Sequence, residues 1–192
     1  LRIAGRIKFV EDVTTPMQTT AQNMIFINSR ERRTGNFVFG FSEDGRTCLL
    51  AIAVSRGGIG DIDVKTIDGT NYLFMAGAMG RRGGIFKSCN LNTMQCREQQ
   101  FLDRNHISAR FGGFSVNNDA SMIYFSHHGE SGDLVGYSLT SVGGAFELGN
   151  ETRRCSAVNG PTLTSQMAFA TGVEVSPNAV SYTHLRAHET VD

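Results

Sequence analysis

Short apolar stretches recur along the chain and carry phenylalanine at the same place. Four of them have Phe at their third position, at intervals of about 45 to 50 residues. They are MIFINS, YLFMAG, IYFSHH and MAFATG, with Phe26, Phe74, Phe125 and Phe169 at that position. After the first three come a polar turn and a second apolar stretch, opened by Gly35, Gly84 and Gly132. The pattern predicts a strand, a turn and a strand, which is a β-hairpin.

Further strands are predicted between these hairpins. DIDVKTI alternates apolar residues with polar ones at period two, as a strand does. CLLAIAV, from Cys48, is a continuous apolar run that predicts a strand buried on both faces. RFGGFSV, from Arg110, precedes the third hairpin. We count about four strands in each repeat, which is typical of a β-propeller blade. The alternative is a chance similarity among the ordinary hairpins of a β-sandwich.

Two segments resemble a known repeat element. FSEDGRTCLLAIA, from Phe41, resembles the F-S-P-D-G turn and strand of TolB-like propeller repeats, and FSVNNDASMIYFS, from Phe114, resembles a degenerate copy of it. The chain departs from the element by Glu43, where proline is usual, and by Asn117 and Asn118 in the later copy. The resemblance covers about two blades, and it implies a propeller fold rather than an activity.

Composition fits one globular domain. The 192 residues suffice for a buried core, and Gly is abundant at 22 while Pro numbers 3. Eighteen basic residues balance eighteen acidic ones, so no overall charge draws in nucleic acid or an anionic membrane. We find no apolar run of membrane-spanning length. The chain starts at Leu1 rather than Met, and we expect the true N-terminus to lie further upstream.

The cysteines and one triplet bear on the compartment. Cys89 and Cys96 flank NLNTMQ and would face each other if the flanking strands form a hairpin. A disulfide there would indicate an oxidising compartment, and the alternative is two free buried thiols. NET at Asn150 fits the N-glycosylation pattern. Together these features favour an extracellular or secretory location.

Two groups of polar residues are candidates for ligand binding. Asp61 and Asp63 alternate along a strand and therefore share one face, where paired carboxylates could perform acid–base chemistry or bind calcium. The alternative is a solvated strand face. The second group consists of neighbouring polar residues around the third hairpin, for which the alternative is an ordinary polar loop: His127, His128, Glu130 and Asp133.

The C-terminal tail, SYTHLRAHETVD, matches no earlier repeat. His184 and His188 are four residues apart, as two zinc ligands on one helix would be, but two ligands do not complete a zinc site. SYTHLRAHET resembles the peptide that results when sequencing-adaptor DNA is translated. We therefore expect an artefactual tail over 181–192, and no metal site and no cofactor in the chain.

The sequence predicts an all-β chain that forms part of a β-propeller. Residues 1–172 would make roughly four incomplete blades, and 173–180 would begin the next blade or serve as a linker. The first functional hypothesis is a binding or scaffold module that holds a protein, a small molecule or a glycan at the propeller face. The second is a fragment of a propeller hydrolase, similar to a lactonase or a glycosidase, with an incomplete active site.

Overall fold

The structure of the protein is a computed structural model that describes residues 3–31, 35–54, 58–78, 84–101, 110–128 and 134–155. These residues form twelve antiparallel strands and no helix. The strands are β1 (Ile3–Val13), β2 (Gln22–Glu31), β3 (Gly35–Ser42), β4 (Cys48–Val54), β5 (Gly58–Ile67), β6 (Thr70–Ala78), β7 (Gly84–Asn90), β8 (Cys96–Phe101), β9 (Arg110–Val116), β10 (Met122–His128), β11 (Leu134–Val142) and β12 (Ala145–Cys155).

The strands form three sheets of four, each a meander in chain order. Sheet A holds β1 to β4, sheet B holds β5 to β8, and sheet C holds β9 to β12. The predicted hairpins are confirmed as strand pairs, because β2 pairs with β3, β6 with β7, and β10 with β11. The all-β prediction is therefore confirmed. The fourth apolar stretch, around Phe169, and the tail lie outside the described residues.

Two of the tight turns explain why the strands reverse where they do. Asp68 and Gly69 join β5 to β6 with φ of 49° and 75°, and Gly143 and Gly144 join β11 to β12 with φ of 57° and 80°. Positive φ at both central residues is the geometry of the two-residue hairpin turn that matches strand twist. Glycine reaches this region without steric cost, so these pairs fix the hairpin register.

The two segments that resemble a propeller repeat contain turns at different places in their sheets. Residues 42–47 join the third and fourth strands of sheet A, whereas residues 117–121 join the first and second strands of sheet C. Hydrogen bonds from Ser42 Oγ and then the Arg46 amide hold the pKa of Asp44 below its ordinary value. The Ser121 amide and hydroxyl do the same for the pKa of Asp119. Both aspartates therefore act as turn-forming side chains.

The sheets pack face to face in chain order, with one hydrophobic core between sheets A and B and another between sheets B and C. The back of a sheet is defined here as the face that packs on the next sheet along the chain. The first core lies between the back of sheet A and sheet B, and the second lies between the back of sheet B and sheet C. Sheet B is thus covered on both faces. The first core contains Met24, Phe26, Ile52, Leu73, Met75 and Ile85, and the second contains Phe74, Phe86, Phe114, Phe125, Tyr137 and Phe146.

The prediction for CLLAIAV is wrong in one respect. The run forms β4 as expected, but its burial alternates, with Leu50, Ile52 and Val54 buried and Ala51 and Ala53 exposed. β4 is the last strand of sheet A, and sheet B covers only one face of that sheet. The apolar run led to the prediction that both faces of β4 are buried, but no described residue covers the face that carries Ala51 and Ala53.

No helix among the described residues has the length and apolar character needed to cross a membrane.

Candidate functional site

The candidate carboxylates lie at the junction between sheets B and C. Asp61 and Asp63 stand on β5, the first strand of sheet B, and are 4% and 1% exposed. Their placement on one strand confirms that they share a face. The solvated alternative is wrong, because both side chains are buried against β9, the first strand of sheet C.

Both carboxylates bond to main-chain amides of the next sheet. One oxygen of Asp61 accepts from the Phe114 amide at 3.1 Å, and one oxygen of Asp63 accepts from the Val116 amide at 3.1 Å. The other oxygens accept from Ile62 and Val64, the residues that follow each aspartate, at 2.9 and 3.0 Å. β9 is an edge strand, so its outward amides need acceptors that no neighbouring strand supplies. The aspartates supply them.

Two lysines balance the charge of Asp63. Lys8 Nζ on β1 lies 3.0 Å from Asp63 Oδ1, and Lys65 Nζ lies 3.8 Å from Oδ2. Both lysine side chains are only 20 to 25% exposed. Because a buried polar group is costly without partners, the lysines and the amides together offset the cost of burying this carboxyl group. This one side chain therefore links the first strands of all three sheets.

The outer part of the same junction uses neutral side chains. The Ser88 hydroxyl donates to the Phe146 carbonyl at 2.8 Å and accepts from the Phe146 amide at 2.7 Å. The Gln99 amide group does likewise with Leu148, at 3.1 and 2.9 Å. Each side chain thus makes the two hydrogen bonds that a neighbouring strand would make to β12, which is the other edge strand of sheet C. Arg97 and Glu147 add an ion pair at the rim.

Sheets A and B are also joined by side chains that bond to main-chain groups. The Asn28 side chain donates to the Ile59 carbonyl at 3.2 Å, and Lys87 Nζ donates to the Ala53 carbonyl at 2.6 Å. The Asn71 side chain donates to the Asp12 carbonyl at 3.1 Å. These residues could not be predicted from the sequence, because a lone polar residue in a strand carries no sign of which backbone it will meet.

The remaining candidates are placed only in part. His127 and His128 lie at the end of β10, where their backbones pair with Phe111 and Arg110, and their side chains are not among those the structure describes. Glu130 and Asp133 lie outside the described residues. Asn150 is exposed on β12. In the part of the chain that the structure describes, no three His, Cys, Asp or Glu side chains are grouped closely enough to hold one metal ion.

The cysteine pair forms a disulfide. Cys89 on β7 and Cys96 on β8 are directly opposite in register, with Cα atoms 4.1 Å apart. The predicted pairing is therefore confirmed, and the alternative of two free thiols is wrong. Cys89 is buried and Cys96 exposed, so the bond links the first core to the surface. Cys48 is an exposed free thiol.

One sheet face carries a large apolar surface. The side of sheet A that points away from sheet B, here called the outer face, presents apolar side chains from all four strands. Ile7 and Phe9 on β1 are 59% and 51% exposed, and Ala51 and Ala53 on β4 are exposed. The half-buried members of the outer face are Ile25, Ile27, Phe37, Phe39 and Phe41.

Comparison with protein-family models and with curated proteins finds no match to this chain.

Proposed function

We propose that this chain is an arc of a β-propeller that serves as a binding or scaffold module. The observation that carries the proposal is the junction between sheets. β5 lies between β1 and β9, and Asp63 on β5 connects these three first strands through Lys8 on β1 and the Val116 amide on β9. Blades around a common axis bring their first strands together in this way. The shared strand order of the three sheets supports the same arrangement.

The engagement of the carboxylates favours a scaffold over a hydrolase. A catalytic pair needs oxygens that can reach a substrate or a water molecule. Here each described oxygen of Asp61 and Asp63 accepts a main-chain amide, and Asp63 is also paired with lysine. These residues therefore hold neighbouring sheets together. In the proposed scaffold, the partner binds to the loops or faces of the arc instead of to these carboxylates.

Distances between spin labels test the propeller arrangement. Glu11 on β1 and Asn118 beside β9 occupy matching places on the inner strands of sheets A and C. Cys48 on β4 and Asn150 on β12 lie on the outer strands. Blades that fan out from an axis place the outer pair further apart than the inner pair, whereas flat stacked sheets keep about 10 Å per layer throughout. Equal spacings for the two pairs would reject the propeller.

Turnover assays test the scaffold role. We expect the wild-type chain to hydrolyse neither p-nitrophenyl glycosides nor γ-butyrolactone. We also expect Asp61→Asn to lower stability, because the amide group replaces a charged acceptor for Phe114 with a neutral one. Turnover by the wild type that disappears in Asp61→Asn without a change in melting temperature would instead support the hydrolase.

A further inference from the structure

The outer face of sheet A is apolar across three neighbouring rows of side chains. Strand pairing aligns Ile7 with Ile27, Phe39 and Ala51 in one row. Phe9, Ile25 and Phe41 form the next row, and Phe37 and Ala53 belong to the third, in which Ser29 stands on β2. The rings of Phe37, Phe39 and Phe41 are in contact, with centroids 5.8 and 6.2 Å apart. Adjacent apolar side chains of this extent mark an interaction surface.

The matching faces of the other two sheets are both covered. In sheet B, the face that carries Leu73, Met75 and Ile85 is buried against sheet A. In sheet C, the face that carries Phe125 and Tyr137 is buried against sheet B. The outer face of sheet A is likewise apolar and has the same place in its sheet. What covers the equivalent face is, in both cases, the back of another four-stranded sheet.

β1 also matches β9 in register, which extends the comparison to the backbone. Ile7 and Phe9 pair with Ile27 and Ile25 on β2, as Phe114 and Val116 pair with Phe125 and Ile123 on β10. The amides of Phe114 and Val116 are the ones bonded by Asp61 and Asp63. Ile7 and Phe9 therefore occupy the positions on β1 that receive two acceptor side chains on β9.

We propose that the outer face of sheet A docks the back of a further four-stranded antiparallel sheet of the same kind. The first strand of that sheet presents two acceptor side chains, two residues apart, to the amides of Ile7 and Phe9. The apolar side chains of that sheet cover the contacting rings of Phe37, Phe39 and Phe41. The proposal rests on the proposed function, since it extends the stacking of sheets by one.

The size of the face argues for such a sheet rather than a second copy of the chain. Four strands spaced by 4.8 Å and three rows of side chains span about 400 Å². A stable interface between separate proteins needs about 800 Å² from each partner. A sheet held nearby gains a high effective concentration and needs less area. The acidic side chains at one end of the face, Glu11 and Glu43, lie outside its apolar rows.

A fused sheet provides the test. In the fused chain, a second copy of residues 58–109 is placed directly before Ile3. The added copy contains the strands of sheet B and the residues that connect β8 to β9. Counted along the strands from Ile7 and Phe114, Ile3 corresponds to Arg110, so the connection that leads into β9 would lead into β1. Hydrogen exchange then reports the Ile7 and Phe9 amides without any substitution. We expect at least 10-fold slower exchange at both amides in the fused chain than in the original chain.

Thiol labelling of single-cysteine variants gives a second readout. In the original chain with Cys48 and Cys155 replaced by serine, Phe9→Cys and the matched control Met17→Cys, which replaces an 82% exposed residue of the β1–β2 turn, should react at similar rates. In the fused chain, Phe9→Cys should react at least 10-fold more slowly and Met17→Cys should not change. Replacing both aspartates of the added copy, Asp61→Ala and Asp63→Ala, should restore fast exchange at the β1 amides.

The outcomes separate the two proposals. Unchanged exchange and labelling in a fused chain whose original β6 amides stay protected would overturn the docking proposal. Protection of Phe9 that rises with the concentration of the original chain would assign the face to a second copy and overturn the choice of occupant. Neither result depends on turnover or on the spin-label distances, which test the proposed function.

Discussion

The Asp63 carboxylate meets a lysine ammonium and a main-chain amide within one buried junction. We expect Asp63→Ala to destabilise the fold by about 3 kcal/mol, because it leaves the Val116 amide and Lys8 without their partner. Urea unfolding of the two chains measures the difference. The control is Glu11→Ala, an exposed carboxylate on β1 that should change stability by less than about 0.5 kcal/mol. Equal losses in the two variants would contradict the assigned role.

Asp119 makes stability depend on pH in a predictable direction. Its pKa is lowered from 3.8 in the folded chain by hydrogen bonds from the Ser121 amide and then the Ser121 hydroxyl. Its stabilising contribution is therefore complete above pH 3.8 and is lost as the pH falls through the lowered pKa. Wild type should be more stable than Asp119→Ala near neutral pH, and the difference should narrow as the pH is lowered below 3.8 in urea titrations. A constant gap would exclude this ionic contribution.

At the scale of elements, the β7–β8 hairpin carries a disulfide, which was one of the two alternatives that the cysteine spacing left open. Cys89 and Cys96 close a short loop, and such a cross-link stabilises by about 2 to 3 kcal/mol through the unfolded chain. We expect reductant to lower the urea midpoint of wild type by a corresponding amount. The double variant Cys89→Ala, Cys96→Ala should be insensitive to reductant, and Cys48→Ser should behave as wild type. A wild-type midpoint unaffected by reductant would refute the contribution.

Strands were predictable from the sequence because they depend on local pattern. The alternation in DIDVKTI and the glycine-opened stretches gave β5, β3 and β7. What covers each face was not predictable, since burial depends on residues far away in the chain. CLLAIAV was therefore misjudged on one face, and Asp61 and Asp63 were expected in solvent or at a ligand although they meet the backbone of β9. Partners more than 50 positions apart leave no trace in local pattern.

For the whole molecule, the two cores make sheet B the centre of stability. It is covered on both faces, whereas one face of sheet A is exposed. Local opening requires less energy where fewer apolar contacts are lost, so we expect the slowest amide exchange in β6 and β7 and faster exchange in β3 and β4. Native-state hydrogen exchange followed by mass spectrometry measures the order. Slower exchange in sheet A than in sheet B would contradict this distribution.

The bonds between sheets B and C have a consequence for how such a chain can evolve. Asp61, Asp63, Ser88 and Gln99 all bond to main-chain groups of sheet C. Any residue other than proline offers the same amide, so positions 114, 116, 146 and 148 can drift among apolar residues while the bonds persist. Selection then acts on one partner of each contact instead of two. Where such sheets arise by duplication, their sequences can diverge quickly while the sheets still stack. The polar side chains of the preceding sheet are then the main trace of a shared ancestry.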